Sequence, residues 1–251
     1  MKNSSLNIAT LKLDQLPLLF QYAALENWIV EEEHLKCQFK NYAEDFFVAY
    51  LNSDIVGFVI ALKQSENFGF ISTLLVLKEF RSCGFGAKLL DHALKYLDGF
   101  QIALNSTQSS EKLYQRVGFK TYFQLTTYQY TVTRKIVKKS SLNSNSNYQI
   151  SKTNNYLTCL VKNRSINYRS INHNSSAFAF SSIYADGYKI TLNTQNLDEL
   201  FTLFNDLTKE FSIGTKIYIE TMPLNSTLLE LVNQLNMSFY SEFNRMYNTT
   251  F

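Results

Sequence analysis

The 251-residue sequence has little proline, histidine, cysteine or glycine. Only 2 prolines stand against 16 tyrosines and 20 phenylalanines, a balance that excludes a disordered chain. With 3 histidines, and with Cys37, Cys83 and Cys159 far apart and no CxxC pair, a zinc site is not expected. The odd, sparse cysteine count fits a reducing compartment better than a disulfide scaffold. Charge of one sign is not in excess: a net charge of +3 is too small to make nucleic acid the main partner. Long apolar runs are missing as well. The longest lies around Ile55–Leu62, far short of a membrane span, and the N-terminus has no signal-peptide pattern. These absences lead to the expectation of a cytoplasmic protein with neither membrane nor nucleic acid as partner, acting as a monomer or homodimer. What is plentiful is apolar side chain, 45% of residues against 18% charged, enough for one large or two small cores.

One composition shift divides the chain. Lys138 to Asn147 reads KKSSLNSNSN, polar and without hydrophobic periodicity. Domains are therefore expected at 1–137 and 149–251, joined by a linker at 138–148. The basic cluster Arg134, Lys135, Lys138 and Lys139 reads as a solvated hinge.

In the first half, helical spacing is read over Asp14–Asn27, Glu31–Asn41, Gly84–Leu97 and Ser109–Val117. Strands are read over Glu44–Leu51, Ile55–Lys63, Phe68–Leu77, Phe100–Leu104 and Phe119–Thr133, with a hairpin turn at Asn52–Asp54. In the second half, strands at Ala177–Tyr184 and Tyr188–Leu192 flank a turn at Ala185–Gly187. A helix Leu197–Phe211, a strand Lys216–Glu220, a helix Leu224–Asn236 and a strand Ser238–Tyr247 follow. That order echoes the end of the first half, which suggests a weak internal repeat. The fold class is α/β (α+β): a mixed, mainly antiparallel sheet flanked by helices, followed by a second, smaller α/β domain.

The sharpest local signal is LLVLKEFRSCGFGAKLL at 74–90, which reads strand, tight loop, helix. Gly84 and Gly86 leave a ligand unobstructed at the loop. The following helix would aim unpaired N–H groups and its positive dipole end at the same place, an arrangement suited to a pyrophosphate. Arg81 adds a permanent cation. A dinucleotide-binding fingerprint would need a third glycine where Leu89 stands, and a Walker-type loop would need Gly-Lys-Ser/Thr; neither is present.

Arg81-x-x-Gly84-x-Gly86 resembles the R/Q-x-x-G-x-G/A signature of the GNAT superfamily of N-acetyltransferases. Downstream, Leu113-Tyr114-Gln115-Arg116-Val117-Gly118-Phe119 resembles its Tyr-x-x-x-Gly-Phe segment. The likeness covers about residues 8–134. Asn27-Trp28, Phe46–Ala49, Phe68–Ile71 and Arg245-Met246-Tyr247 are similar to a subfamily with a second, degenerate GNAT-like domain, to which Ile217–Asn225 would belong.

The resemblance implies an acetyl-CoA-dependent N-acetyltransferase acting on a small-molecule or protein amine. Leu75, Val76 and Leu77 would pair their backbone with the pantetheine. The amides of Arg81, Ser82, Cys83, Gly84, Phe85, Gly86 and Ala87 would hold the pyrophosphate. Tyr114 would protonate the departing thiolate. Many relatives carry Asn where Thr107 stands, and Asn105 would take over its polar contact. Ser82 and Cys83 replace a commoner glycine and basic residue. No general base is evident: Glu66, Glu32, Glu33, His34, Glu220 and a water relay all remain open. Glu31–Glu33 read as a solvated helix start and His92 as exposed. A non-catalytic coenzyme A-binding sensor or interaction module is the alternative.

Overall fold

The computed structural model describes residues 6–133, 155–163, 166–171 and 177–248. Two compact units emerge. The first comprises Met1–Val30, Gln38–Phe123 and Phe243–Phe251; the second comprises Glu31–Cys37 and Gln124–Glu242. The expected linker at 138–148 and the basic cluster at 134–139 lie outside the described residues.

The chain runs β1 (Leu6–Thr10), α1 (Leu16–Leu25), α2 (Glu32–Asn41), β2 (Phe46–Leu51), β3 (Asp54–Lys63) and β4 (Phe68–Val76). It continues through α3 (Phe85–Tyr96), β5 (Gln101–Ser106), α4 (Glu111–Gln115) and β6 (Phe119–Thr131). Then come α5 (Asn155–Lys162), β7 (Asn167–Ser170), β8 (Phe178–Tyr184), β9 (Gly187–Asn193), α6 (Leu197–Thr208), β10 (Lys216–Thr221), α7 (Ser226–Gln234) and β11 (Ser238–Asn248). The class is mixed α/β with a mostly antiparallel sheet, as expected from the sequence.

In the first unit the strands lie in the order β1-β2-β3-β4-β5-β11. The meander β2-β3-β4 is antiparallel, and β4 runs parallel to β5 through the crossover helix α3. That helix forms because its apolar residues recur on one face. Leu89, Leu90, Ala93 and Leu97 are all buried, against Val59, Ala61, Ile71, Ile102 and Leu104. Each leucine so buried contributes roughly 2 kcal/mol. Gly57 permits the close approach of β3 to β4, since a Cβ there would lie 2.2 Å from the Leu75 carbonyl oxygen.

The second unit has the order β6-β10-β9-β8-β7. Its β7-β8-β9 meander is antiparallel, and β9 runs parallel to β10 through α6. The order of elements in the first unit is thus repeated in the second: meander, crossover helix, parallel strand, helix, long strand. One detail breaks the parallel. β6, which follows α4, pairs with β10 of the second unit, whereas β11, which follows α7, pairs with β5 of the first through Asn244–Tyr247 against Ala103–Ser106. Each unit therefore receives its closing strand from the other repeat.

Cys37 and Cys159 form a disulfide in the second unit, and Cys83 is free. This corrects the expectation drawn from cysteine number. The pair is 122 residues apart, a spacing that leaves no local sequence signal. No helix among the described residues is long and apolar enough to cross a membrane.

Candidate active site

Two features of β4 set up the site. The strand pairs with β5 through Phe68–Ile71 against Gln101–Leu104, so the edge of Ser72–Val76 that faces away from β3 has no strand beside it among the described residues. Just past that point, Thr73 and Leu74 together stand opposite Val59, and Thr73 has φ +50°. This is a β-bulge, the device by which a strand re-aims its backbone groups. Nothing in the type of residue 73 announces it.

The unpaired edge leads to the loop. After Leu77, whose amide donates to the Val56 carbonyl (2.9 Å), a 3-10 turn spans Lys78–Phe80. Ser82 and Gly84 both take positive φ, +62° and +80°, and Gly84 is the N-cap of α3. A Cβ at Gly84 would meet nothing within 4 Å, so it faces open space. The first helical amide to return into the helix is that of Lys88, which donates to the Gly84 carbonyl (3.2 Å). The amides of Phe85, Gly86 and Ala87 precede it with no capping side chain and no carboxylate in the first turn. In the second unit, Asn196 caps two amides of α6 and Asn225 caps one of α7, and α6 also carries Asp198 and Glu199 in its first turn. Among these three helices, α3 is the one whose start is left open to an anion.

The side chains around the loop divide their roles. Arg81 is committed to the protein: Nη2 pairs with Glu26 at 2.5 Å and Nε donates to the Val76 carbonyl at 3.0 Å. Its guanidinium folds the loop back onto the end of β4. Cys83 is exposed, with Sγ donating to the Arg81 carbonyl (3.4 Å). Lys88, exposed one turn into α3, leans over the Phe85 ring at 5.8 Å and supplies a cation that sequence reasoning passed over. Leu75 and Leu77 bury their side chains in the core and offer only backbone.

Tyr114 lies on α4, 8% exposed, with its ring edge-on to Phe119 at 6.2 Å. Burial pushes its phenol up to about 12, so it stays protonated throughout the neutral range. Its hydroxyl has no protein hydrogen-bond partner among the described residues, and it is not among the sealed polar atoms that lack one. Thr107 is occupied with Ser109 and Ser110 at the start of α4. Asn105 sits on β5 just beyond the point where β4 departs. Its Oδ1 accepts from Arg245 Nε at 2.6 Å, a contact supplied by β11.

The groups considered as bases fall in several places. Glu66 is exposed on the β3–β4 turn. The second unit gathers Glu31, His34, Lys189 and Glu220. Glu31 bonds Lys189 Nζ (3.1 Å) and accepts from Ser182 Oγ (2.8 Å), while Lys189 is 3.6 Å from Glu220. Burial pushes the Glu31 carboxyl up, but Lys189, His34 and Ser182 outweigh it and the net shift is downward. His34 Nδ1 lies 2.9 Å from the Tyr156 hydroxyl, and burial lowers the imidazole against the opposing pull of Glu31. Glu31 is thus largely enclosed, not solvated as expected; Glu32 and Glu33 pair with Lys36. His92 is also not exposed: its ring packs against Phe47 at 4.6 Å and its Nε2 is sealed without a partner.

The sequence model described as "Acetyltransferase (GNAT) family" matches residues 10–119. A protein of Sulfolobus acidocaldarius named N-alpha-acetyltransferase is 30% identical over 140 residues, covering 50% of this chain and 77% of that one. Holothin acyltransferase of a Pseudoalteromonas species is 22% identical over 112 residues, spanning 45% of this chain but only 38% of its own length. Among solved structures, an acetyltransferase candidate from Pyrococcus horikoshii superposes with a TM-score of 0.76 at 15% identity, covering 98% of this chain and 90% of that one.

Proposed function

The chain belongs to the acetyltransferase (GNAT) family, and from that premise we propose that it transfers the acetyl group of acetyl-CoA to an amine by direct attack in a ternary complex. The observation that carries this reading is the continuous path from the open start of α3 to the unpaired edge of β4. The amides of Ser82–Ala87 cradle the pyrophosphate and Lys88 adds charge, while the Arg81 amide is held by the Lys78 carbonyl at 3.4 Å. Leu75 and Val76 offer backbone groups to the pantetheine amides, as a missing neighbour strand would, whereas Leu77, expected to share that role, spends its amide on the Val56 carbonyl and its carbonyl on the Phe80 amide. The guanidinium of Arg81 holds the loop in shape and is not the main anion ligand.

The chemistry then balances. The amine nitrogen forms a bond to the thioester carbonyl carbon, and the developing oxyanion accepts from N–H groups of the bulged stretch of β4. The C–S bond breaks, the thiolate takes the proton of the Tyr114 hydroxyl, and the amine's proton leaves to water or a nearby base. The phenolate regains a proton from solvent, leaving an N-acetylated product and free coenzyme A.

Titration calorimetry with acetyl-CoA tests the binding half. One site per chain is expected, because α6 and α7 cap their own amides. Gly84→Val should abolish that site, since its side chain would project into the open loop from a backbone conformation that valine resists. Unchanged affinity in the folded variant would defeat the assignment. Binding of acetyl-CoA with no thiol released in the presence of a panel of amines would establish a coenzyme A-binding module instead.

A further inference from the structure

Arg245 stands on β11 with its face of the sheet turned away from α3. The register sets this. Phe70 lies opposite Ala103, and Asn105, two residues further along β5, lies opposite Arg245. The alternate residues Ile71, Ile102, Leu104 and Met246 fill the core under α3. On its own face the guanidinium carbon of Arg245 is 5.2 Å above the Phe70 ring, and Nε donates to Asn105 Oδ1. Phe70 is on β4 and Asn105 on β5, so the arginine is fixed from both strands at the apex where they part.

An arginine held in this way is unusual in one respect. Its two Nη groups have no partner among the described residues, and no carboxylate pairs with it there. The other half-buried arginine described, Arg169, bonds both Glu210 and a backbone carbonyl. A guanidinium that is partly desolvated normally finds its anion within the protein. The planar fork is rigid and suited to two parallel bonds to a carboxylate. The Phe70 ring restrains the guanidinium from one side, and the bond from Nε to Asn105 restrains its rotation.

We propose that Arg245 determines acceptor specificity by binding a carboxylate carried on the same molecule as the amine that is acetylated. This rests on the proposed acetyl transfer, in which the unpaired edge of β4 brings the thioester back from the phosphate loop toward the apex at Ile71 and Leu104. The carboxylate docks on the Nη edge, and the amine is thereby held at the mouth of the same gap. The shared chemistry, an amine with a nearby carboxylate, is found both in free amino acids and in peptide N-termini with an early acidic residue.

The test uses the full-length chain and matched acid and amide probes. One arm compares L-glutamate and L-aspartate with L-glutamine, L-asparagine and the α-carboxamides. The other compares amidated tetrapeptides beginning Ser-Glu with those beginning Ser-Gln. Whichever arm is acetylated identifies the source of the carboxylate. The acid of a pair is expected to exceed its amide by tens of fold in kcat/KM, as loss of charge-assisted hydrogen bonds requires. Arg245→Met should bring that ratio near one, chiefly by raising KM for the acid, while acetyl-CoA affinity stays unchanged. Arg245→Lys keeps the charge without the fork and should fall between, which guards against a methionine variant that fails to fold. Equal use of acid and amide, a preference that survives in Arg245→Met, or transfer to neutral amines alone would overturn the proposal. Failure of acetyl-CoA to bind the unaltered protein would instead overturn the reading beneath it, and the proposal with it.

Discussion

At the scale of single residues, Tyr114 carries the sharpest expectation. Its phenol is packed by Phe119, raised by burial and without a hydrogen-bond partner among the described residues. Tyr114→Phe keeps the ring and removes only the proton donor. Turnover should fall on the order of a hundredfold, with acetyl-CoA affinity nearly unchanged. A purely packing role would leave turnover almost normal, so steady-state rates beside calorimetric affinity separate the two. The sequence led to Tyr114 and to the loop glycines because each sits in a local pattern. It did not lead to Thr73, Gly57 or the free face of Arg245. A strained φ, a close approach of two strands and a missing counter-charge depend on residues far away in the chain, here Val59, Leu75 and Asn105.

At the scale of elements, most helices and strands were legible within a few residues. The strand expected at Phe68–Leu77 is β4, Phe68–Val76, and the helix expected at Gly84–Leu97 is α3, Phe85–Tyr96. The short β1, α5 and β7 carry too few periodic residues to declare themselves. Helix α2 is the element with the most unforeseen attachments: Glu33 bonds Asn163, His34 meets Tyr156, and Cys37 is joined to Cys159 of α5. A disulfide typically contributes roughly 2–4 kcal/mol, and the loop-closure entropy of so long a cross-link sets an upper figure of about 5 kcal/mol. Urea melts of Cys37→Ser, or of the protein under reductant, should show a loss of that order, and an unchanged midpoint would refute it.

The two enclosed histidines give α2 and α3 a pH signature. Burial lowers both His34 and His92 below the ordinary 6.5, so the unfolded chain binds their protons more readily. Their contribution to stability is complete above about 6.5 and is lost as pH falls through the folded-state values. Thermal melts should therefore decline between pH 7 and 5. His34→Gln, which removes one of the two groups, should make that decline shallower; a slope identical to the parent would count against it.

At the scale of the whole molecule, the strand exchange makes neither repeat self-sufficient in sequence. A fragment ending at residue 137 contains every residue of the proposed coenzyme site yet lacks β11, so β5 loses its partner along Ala103–Ser106. It also lacks the Asn248 side chain that accepts from the Ile102 amide at 2.8 Å. Such a fragment should bind acetyl-CoA poorly or aggregate, by calorimetry and light scattering, although the family pattern lies wholly within it. Native-like affinity in the soluble fragment would show that the closing strand is dispensable.

The same exchange has a consequence for biosynthesis. A ribosome delivers β5 long before residues 243–248, and for on the order of ten seconds the nascent β5 waits with an open hydrogen-bonding edge. Open edges invite pairing with other nascent chains on the same message. Were the long β6, the next strand to emerge, to pair with that edge first, its later transfer to β10 would make completion of the fold a late event. A cell making this protein would then depend on whatever shields the first repeat during that interval, so yield in vivo should respond more to translation speed and chaperone supply than the stability of the finished molecule would suggest.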